Sequence, residues 1–211
     1  MHIPKQFEET SIDAIHGLLR SNPLATLVTS ASGGLDANHI PLLYTDSPTP
    51  FGSLQGHVPR TNPLSSGERN GADALAIFQG PNAYISPSWY ATKQETGKVV
   101  PTWNYAVVHA YGQLRIIDDP EWVRAQVEAL TNEHERQFEQ PWKVSDAPRS
   151  YTDRLIRGLV GIEIVITRIL GKKKASQNHP YANRAGVAAG LKSLGRGDAI
   201  ELASASDPDT E

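Results

Sequence analysis

Apolar residues recur along this chain with two different periods. Ile12, Ile15, Leu18 and Leu19 keep helical spacing until Pro23 ends the pattern, and Thr10-Ser11-Ile12-Asp13 has the Ser/Thr-x-x-acid form of a helix start. The period then shortens. Ala25 to Ala31 and Leu35 to Tyr44 read as strands joined by Ser32-Gly33-Gly34, whose glycines supply the positive φ of a tight hairpin. Strand-like runs recur at Ser53 to Val58, Ala74 to Gln79, Ala83 to Ser86 and Tyr105 to Ile117, between loops rich in Pro, Gly, Ser and Asn. Several short strands with turn signals suggest a barrel.

Helical spacing returns later. Asp119-Pro120 places an N-cap before a proline at the first helical position, and Val123, Val127, Leu130 and Phe138 form a stripe reaching about Glu139. A short helix from about Tyr151 to Leu159 leads into a strand from Val160 to Leu170, and Val187, Leu191 and Leu194 mark a last helix. The small and acidic residues Ser204 to Glu211 read as a frayed, disordered tail. With no internal repeat and no low-complexity linker, residues 1–203 are expected to form a single domain of antiparallel strands with peripheral helices.

Composition narrows the chemistry. The 211 residues carry a net charge of −3 and no cysteine, which removes disulfides, iron–sulfur clusters, thiolate zinc sites and cysteine nucleophiles together and suits a reducing cytoplasm. Acidic residues interrupt the first twenty positions where a leader would be apolar, and Glu163 and Arg168 break the most apolar stretch, Leu159 to Leu170. No membrane partner is expected. The charge is uneven: Arg168, Lys172, Lys173, Lys174, Arg184, Lys192 and Arg196 lie in a window to Gly197 that holds no Asp or Glu. Such a run is either a solvated face or an anion site, and the hydrogen-bonding cluster Ser176-Gln177-Asn178 beside three lysines balances the two readings evenly.

Standard nucleotide and hydrolase signatures are absent. There is no Gly-x-Gly-x-x-Gly after a strand, no P-loop, no His-Glu-x-x-His and no Gly-x-Ser-x-Gly, and the seven histidines show no trustworthy metal-ligand spacing. No catalytic residue stands out and no metal site is expected. Gly56-His57-Val58-Pro59-Arg60-Thr61-Asn62-Pro63 is richer: a strand ends in a polar loop whose guanidinium, hydroxyl and amide suit a phosphate, stiffened by Pro59 and Pro63. Taken alone it reads slightly better as an ordinary surface loop, with Arg60 in an exposed salt bridge. Phe78 to Tyr90 and Val100-Pro101-Thr102-Trp103-Asn104-Tyr105 add aromatic, amide and hydroxyl groups at strand ends, a mixture that suits a planar ligand with polar edges.

These blocks carry a family resemblance. Met1-His2-Ile3-Pro4, His39-Ile40-Pro41-Leu42, Gly56 to Pro63, Gly-Pro-Asn-Ala-Tyr-Ile-Ser-Pro-Ser-Trp-Tyr at 80–90, Val-Pro-Thr-Trp-Asn-Tyr at 100–105 and Lys172 to Asn178 resemble the PaiB-type members of the FMN-binding split-barrel superfamily. That superfamily also contains the pyridoxamine phosphate oxidases. The resemblance implies a mainly β, six-stranded antiparallel split barrel with peripheral helices that forms a homodimer with FMN across the seam. His39, Ile40, Pro41 and Leu42 would then border the flavin ring, and His57, Arg60, Thr61 and Asn62 would hold the phosphate. From the facing subunit, Thr102, Trp103 and Asn104 would cover the ring, while Lys174, Ser176, Gln177 and Asn178 would close the site. One departure stands out: Pro59 occupies a loop position where many relatives have a small residue, so a backbone donor is lost. The oxidases' substrate-gripping arginine pair is also not evident at Lys172 to His179.

The function implied is flavin binding, with FMN-dependent oxidoreductase activity left open. Negative transcriptional regulation is the role the family carries. DNA contact would fall to the basic C-terminal window, against a net charge of −3. The alternatives are a flavin reductase without DNA binding, and haem binding or degradation with His179 as axial ligand.

Overall fold

The computed structural model describes residues 1–31, 34–47 and 49–210. Its strands are β1 (Glu8–Glu9), β2 (Leu24–Ala31), β3 (Gly34–Pro41), β4 (Leu43–Thr45), β5 (Ser53–Pro59), β6 (Asp73–Ile85), β7 (Thr102–Ile117) and β8 (Leu159–Lys174). The α-helices are α1 (Ile12–Ser21), α2 (Thr92–Thr96), α3 (Pro120–Glu135), α4 (Arg149–Arg157), α5 (Tyr181–Ser193) and α6 (Gly197–Ser206). The sheet runs β3-β2-β6-β7-β8-β5-β4, with β1 paired to β8. This is an antiparallel split barrel of eight strands instead of six, the short β1 and β4 being the surplus.

The contacts divide the chain into two compact units. One holds residues 22–78 and 109–169. In it β2 pairs with β3 from Leu24↔Pro41 to Ala31↔Gly34, and β5 pairs with β8 from Ser53↔Val165 to Pro59↔Leu159. Alternate residues face the core, as the strand period demands: Ala25, Leu27 and Thr29 are buried along β2, and Leu54, Gly56 and Val58 along β5. The other unit holds residues 1–21, 79–108 and 170–211. Its core gathers Ala83, Ile85 and Tyr90 with Val187 and Leu191 of α5 and Ala199, Leu202 and Ala203 of α6.

Two sequence signals hold locally. Asp119 Oδ1 accepts the backbone N–H groups of Glu121 and Trp122, so it caps α3 ahead of Pro120. Gly34 has φ +107°, as a tight hairpin needs, although Ser32 and Gly33 of the expected turn lie outside the described residues.

Elsewhere tertiary pairing overrides local punctuation. The expected strand from Leu35 to Tyr44 changes partner at Leu42, whose N–H bonds to Pro23: β3 pairs with β2, whereas β4 pairs with β5. Gly80-Pro81 is not a loop, and β6 runs through it. Strand β7 starts three residues early, at Thr102, and β8 runs on through the lysines to Lys174. Helix α3 ends at Glu135, leaving Phe138 55% exposed instead of on a core stripe. The C-terminal segment expected to fray is helical to Ser206, which is fully buried, and Pro208–Thr210 form a 3-10 turn; Glu211 lies outside the described residues.

Candidate functional site

The loop after β5 sits where two strands approach closely. A Cβ at Gly56 would come within 2.8 Å of Leu42 Cδ2 and 3.0 Å of the Pro41 carbonyl, so only glycine lets β5 lie against Pro41-Leu42. Ile40 and Leu42 are core residues, 5% and 1% exposed. Pro41 and His39 are exposed, and His39 Nδ1 lies 3.1 Å from Thr26 Oγ1, its cross-strand neighbour.

The residues expected to hold a phosphate are engaged within the protein. His57 Nδ1 lies 2.7 Å from Oε1 of buried Gln126. An amide oxygen only accepts, so His57 donates from Nδ1. Arg60 forks onto Asp118, with Nη1 to Oδ2 at 2.8 Å and Nη2 to Oδ1 at 2.5 Å, while Nε donates to the Arg157 carbonyl at 3.1 Å. Hydrogen bonding inside the fork raises the arginine pKa and lowers the aspartate's. Asn62 accepts from Leu64 N at 2.8 Å and donates to Asn38 at 3.0 Å, which caps the 3-10 turn Pro63–Ser65. Thr61 is exposed. A guanidinium has five N–H donors, so Arg60 keeps two for an anion, beside the competing charge of Asp118.

Glu163 makes the same point nearby. This buried carboxylate accepts from Arg115 at 2.6 Å, Gln55 at 3.0 Å and Ser53 at 3.2 Å. Its charge is compensated within the fold.

The residues expected to cover the ring separate into three groups, because successive strand side chains face opposite ways. Asn104 and Ser176 are buried, and the Asn104 amide donates to Ser176 Oγ at 2.9 Å. Ser176 has φ +63°, uncommon for a residue with a side chain, and this bond fixes the turn after β8. Gln177 secures the same turn, accepting from Ala175 N at 2.7 Å and donating to the Gln6 and Lys173 carbonyls. All three side chains hold this turn.

Thr102, Lys174 and Asn178 instead line a cavity of about 390 Å³ with Tyr90, His179 and Asn183. Lys174 Nζ donates to Thr102 Oγ1. Partial burial lowers the Lys174 pKa, and the neighbouring Lys172 charge adds to that. The His179 ring stacks on Tyr90 at 4.9 Å between centroids, with 24° between planes. Trp103 belongs to neither group. It is 54% exposed, meets Tyr84 edge-on at 6.2 Å, and borders a second hollow with Asn82, Arg196 and Asp198.

Asp118, Gln126 and Tyr90 are the residues sequence reasoning did not assign. Nothing in the pattern pairs Arg60 with an acid 58 positions away, while Tyr90 was visible only as the end of its aromatic block. The basic window disperses: Arg168 lies 3.9 Å over Tyr111, Lys172 packs on Tyr105, Arg184 bonds to the Ser206 and Asp207 carbonyls, and Lys192 pairs with Asp207. Among the described residues no helix is long and apolar enough to cross a membrane, and no group of three His, Asp or Glu is placed to hold a metal ion.

A family model described as "Putative FMN-binding domain" matches residues 1–168. An uncharacterised protein of Emericella nidulans is 35% identical over 230 residues, covering 92% of each chain. The protease synthase and sporulation protein PAI 2 of Bacillus subtilis is 31% identical over 178 residues, covering 84% of this chain and 83% of its own. Among solved structures, the FAD and haem binding protein of Mycobacterium smegmatis shares the fold with a TM-score of 0.59 at 16% identity, over 79% of this chain and 73% of its own.

The donor set accords with a flavin nucleotide in two respects: an arginine with N–H groups to spare stands on an exposed loop, and an exposed indole is held on a strand. With its Gly56–Pro63 and aromatic blocks inside the matched span, the chain belongs to the PaiB-type family of FMN-binding split-barrel proteins.

Proposed function

We propose that this protein binds FMN between two copies of the chain, with Arg60 of one copy at the phosphate and Trp103 of the other over the ring. Trp103 is the observation that carries this reading. A large apolar ring held on a strand and half open to water forfeits hydrophobic free energy until something covers it, and Val100, 74% exposed, extends the same apolar stretch of chain. Magnitudes require the ring contact. Two charge-assisted hydrogen bonds contribute about 1.5–3 kcal/mol each, short of the roughly 8 kcal/mol that micromolar affinity needs before association entropy is charged.

Bound FMN would supply hydride and single-electron chemistry. The chain's own residues bind and orient it. Arg60 exchanges part of its hold on Asp118 for the phosphate, Asn62 and His57 keep the loop in shape through Asn38 and Gln126, and β3 offers backbone groups along the ring edge. Direct DNA contact is not part of the proposal, since the basic window is spread over stacked and paired side chains.

Flavin fluorescence during titration with the purified protein tests the reading. Quenching that saturates at one FMN per chain is expected, and Trp103→Leu should weaken binding about tenfold and remove most of the quenching. Unchanged affinity and quenching in Trp103→Leu would refute the ring contact.

A further inference from the structure

The segment that reads as a frayed tail in the sequence is tied to α5 by three side chains. Tyr181, at the start of the helix, donates its hydroxyl to Asp209, 2.9 Å from Oδ1 and 3.0 Å from Oδ2. Lys192, further along the same helix, pairs with Asp207 at 3.1 Å. Between them Arg184 donates to the Ser206 and Asp207 carbonyls, both at 3.4 Å. Exposed bonds of this kind contribute little singly, so their importance lies in what they hold together.

What they hold is Ser206. It is 0% exposed, and its hydroxyl accepts from the Asn104 amide at 3.5 Å. Asn104, also 0% exposed, donates to Ser176 Oγ at 2.9 Å, and Ser176, 2% exposed, sits in the turn after β8 with φ +63°. Among the described residues these side chains have no hydrogen-bond partners but one another. A buried donor that loses its partner has no water to replace it, and a serine in the left-handed region persists only where its surroundings support it. Whatever fixes Ser206 therefore fixes Asn104, and Asn104 fixes the turn.

We infer that residues 207–209 are a strap that sets the shape of the turn at 175–178 through Ser206 and Asn104, with Tyr181, Arg184 and Lys192 as its anchors. Strap, anchors and turn all belong to one compact unit. The consequence is positional. Lys174 and Asn178 flank the turn and line the cavity beside Thr102, so a fastened strap keeps both in place and a released one lets them move. Ser206 is thus a positioning residue. Only the effect on flavin rests on the reading proposed above, whereas the coupling of strap to turn does not.

Amide hydrogen exchange on the full chain tests the strap, read at His179, whose N–H closes the turn on the Ser176 carbonyl at 2.9 Å. The double variant Tyr181→Phe, Lys192→Met changes only exposed anchors and should speed exchange there severalfold. Ser206→Ala should speed it about tenfold, with β2 and β3 of the other unit unchanged. Ser206→Thr keeps the hydroxyl and should exchange at the native rate. Circular dichroism confirms that each variant folds. Native exchange at His179 in the double variant overturns the inference even if Ser206→Ala is fast, because the strap would then not be what holds the turn. Native exchange in Ser206→Ala overturns the route through Asn104. Equal acceleration across the whole unit, or fast exchange in Ser206→Thr, overturns it as well, since either means lost packing in place of a lost bond. FMN titration separates this inference from the flavin reading: the double variant should bind about twofold more weakly, and unchanged affinity would deny the strap a part at that site. A native chain that ignores FMN would refute the flavin reading and leave the exchange result standing.

Discussion

The loop that follows β5 and the cavity lined by Tyr90 are built on opposite principles. Around the loop the polar side chains are answered from within the protein: Arg60 by Asp118, Glu163 by Arg115 and Arg69 by Asp36 as ion pairs, and His57 by a hydrogen bond to Gln126. Beside the cavity a buried phenol is left unanswered. A saturated cluster holds the backbone in one shape, whereas an unpaired buried group weakens the fold that contains it. Stability measurements therefore separate the two regions, because removing a partner harms the first and relieves the second.

The largest effect is expected at Glu163. Arg115→Met strands a carboxylate that is 8% exposed, and chemical denaturation should report a loss of about 2 kcal/mol. Tyr90→Phe should do the reverse, raising stability by about 1 kcal/mol in the ligand-free protein by deleting an unpaired hydroxyl. A destabilised Tyr90→Phe would mean that the hydroxyl has a partner, and the contrast between the regions would fail. Asp118→Asn sharpens the comparison from the loop side. It weakens the anion competing for Arg60, so FMN affinity should rise about threefold by fluorescence titration; a fall would show the fork to be a required support.

The smallest effect concerns pH. Burial, and then the nearby Lys174 charge, hold the His179 pKa below its ordinary value, and burial does the same for His109. An unfolded chain then takes up these protons before the folded one does. Stability is full above the ordinary histidine range, falls as pH drops through it, and stops falling once the folded histidines protonate. Thermal melts of His179→Asn between neutral and mildly acidic pH should show a shallower decline.

Much of this was legible in the chain. The β2–β3 hairpin, the Asp119 cap and the alternation along β5 follow from turn chemistry, capping and the strand period, and all are local. The family blocks gave the fold class. Errors came where distant pairing outweighed punctuation: Gly80-Pro81 reads as a loop but lies within β6, and Leu42 reads as mid-strand but is where the chain changes partners. At the site, residue type could not distinguish a side chain that faces a ligand from one that props a turn. Asn104, Ser176 and Gln177 look like ligand contacts because amides and hydroxyls serve both purposes. Only the Ser176 φ of +63° and the burial of Asn104 reveal the second role.

The proposed FMN site is tested most directly by mixing two crippled chains. Arg60→Ala and Trp103→Leu should each bind FMN poorly alone. After equal mixing and re-equilibration, half of the dimers would be mixed, and each would hold one intact site and one doubly damaged site, so about a quarter of the native binding capacity should return. No recovery, from chains shown by sedimentation to exchange subunits, would mean that Arg60 and Trp103 do not serve one flavin across a seam.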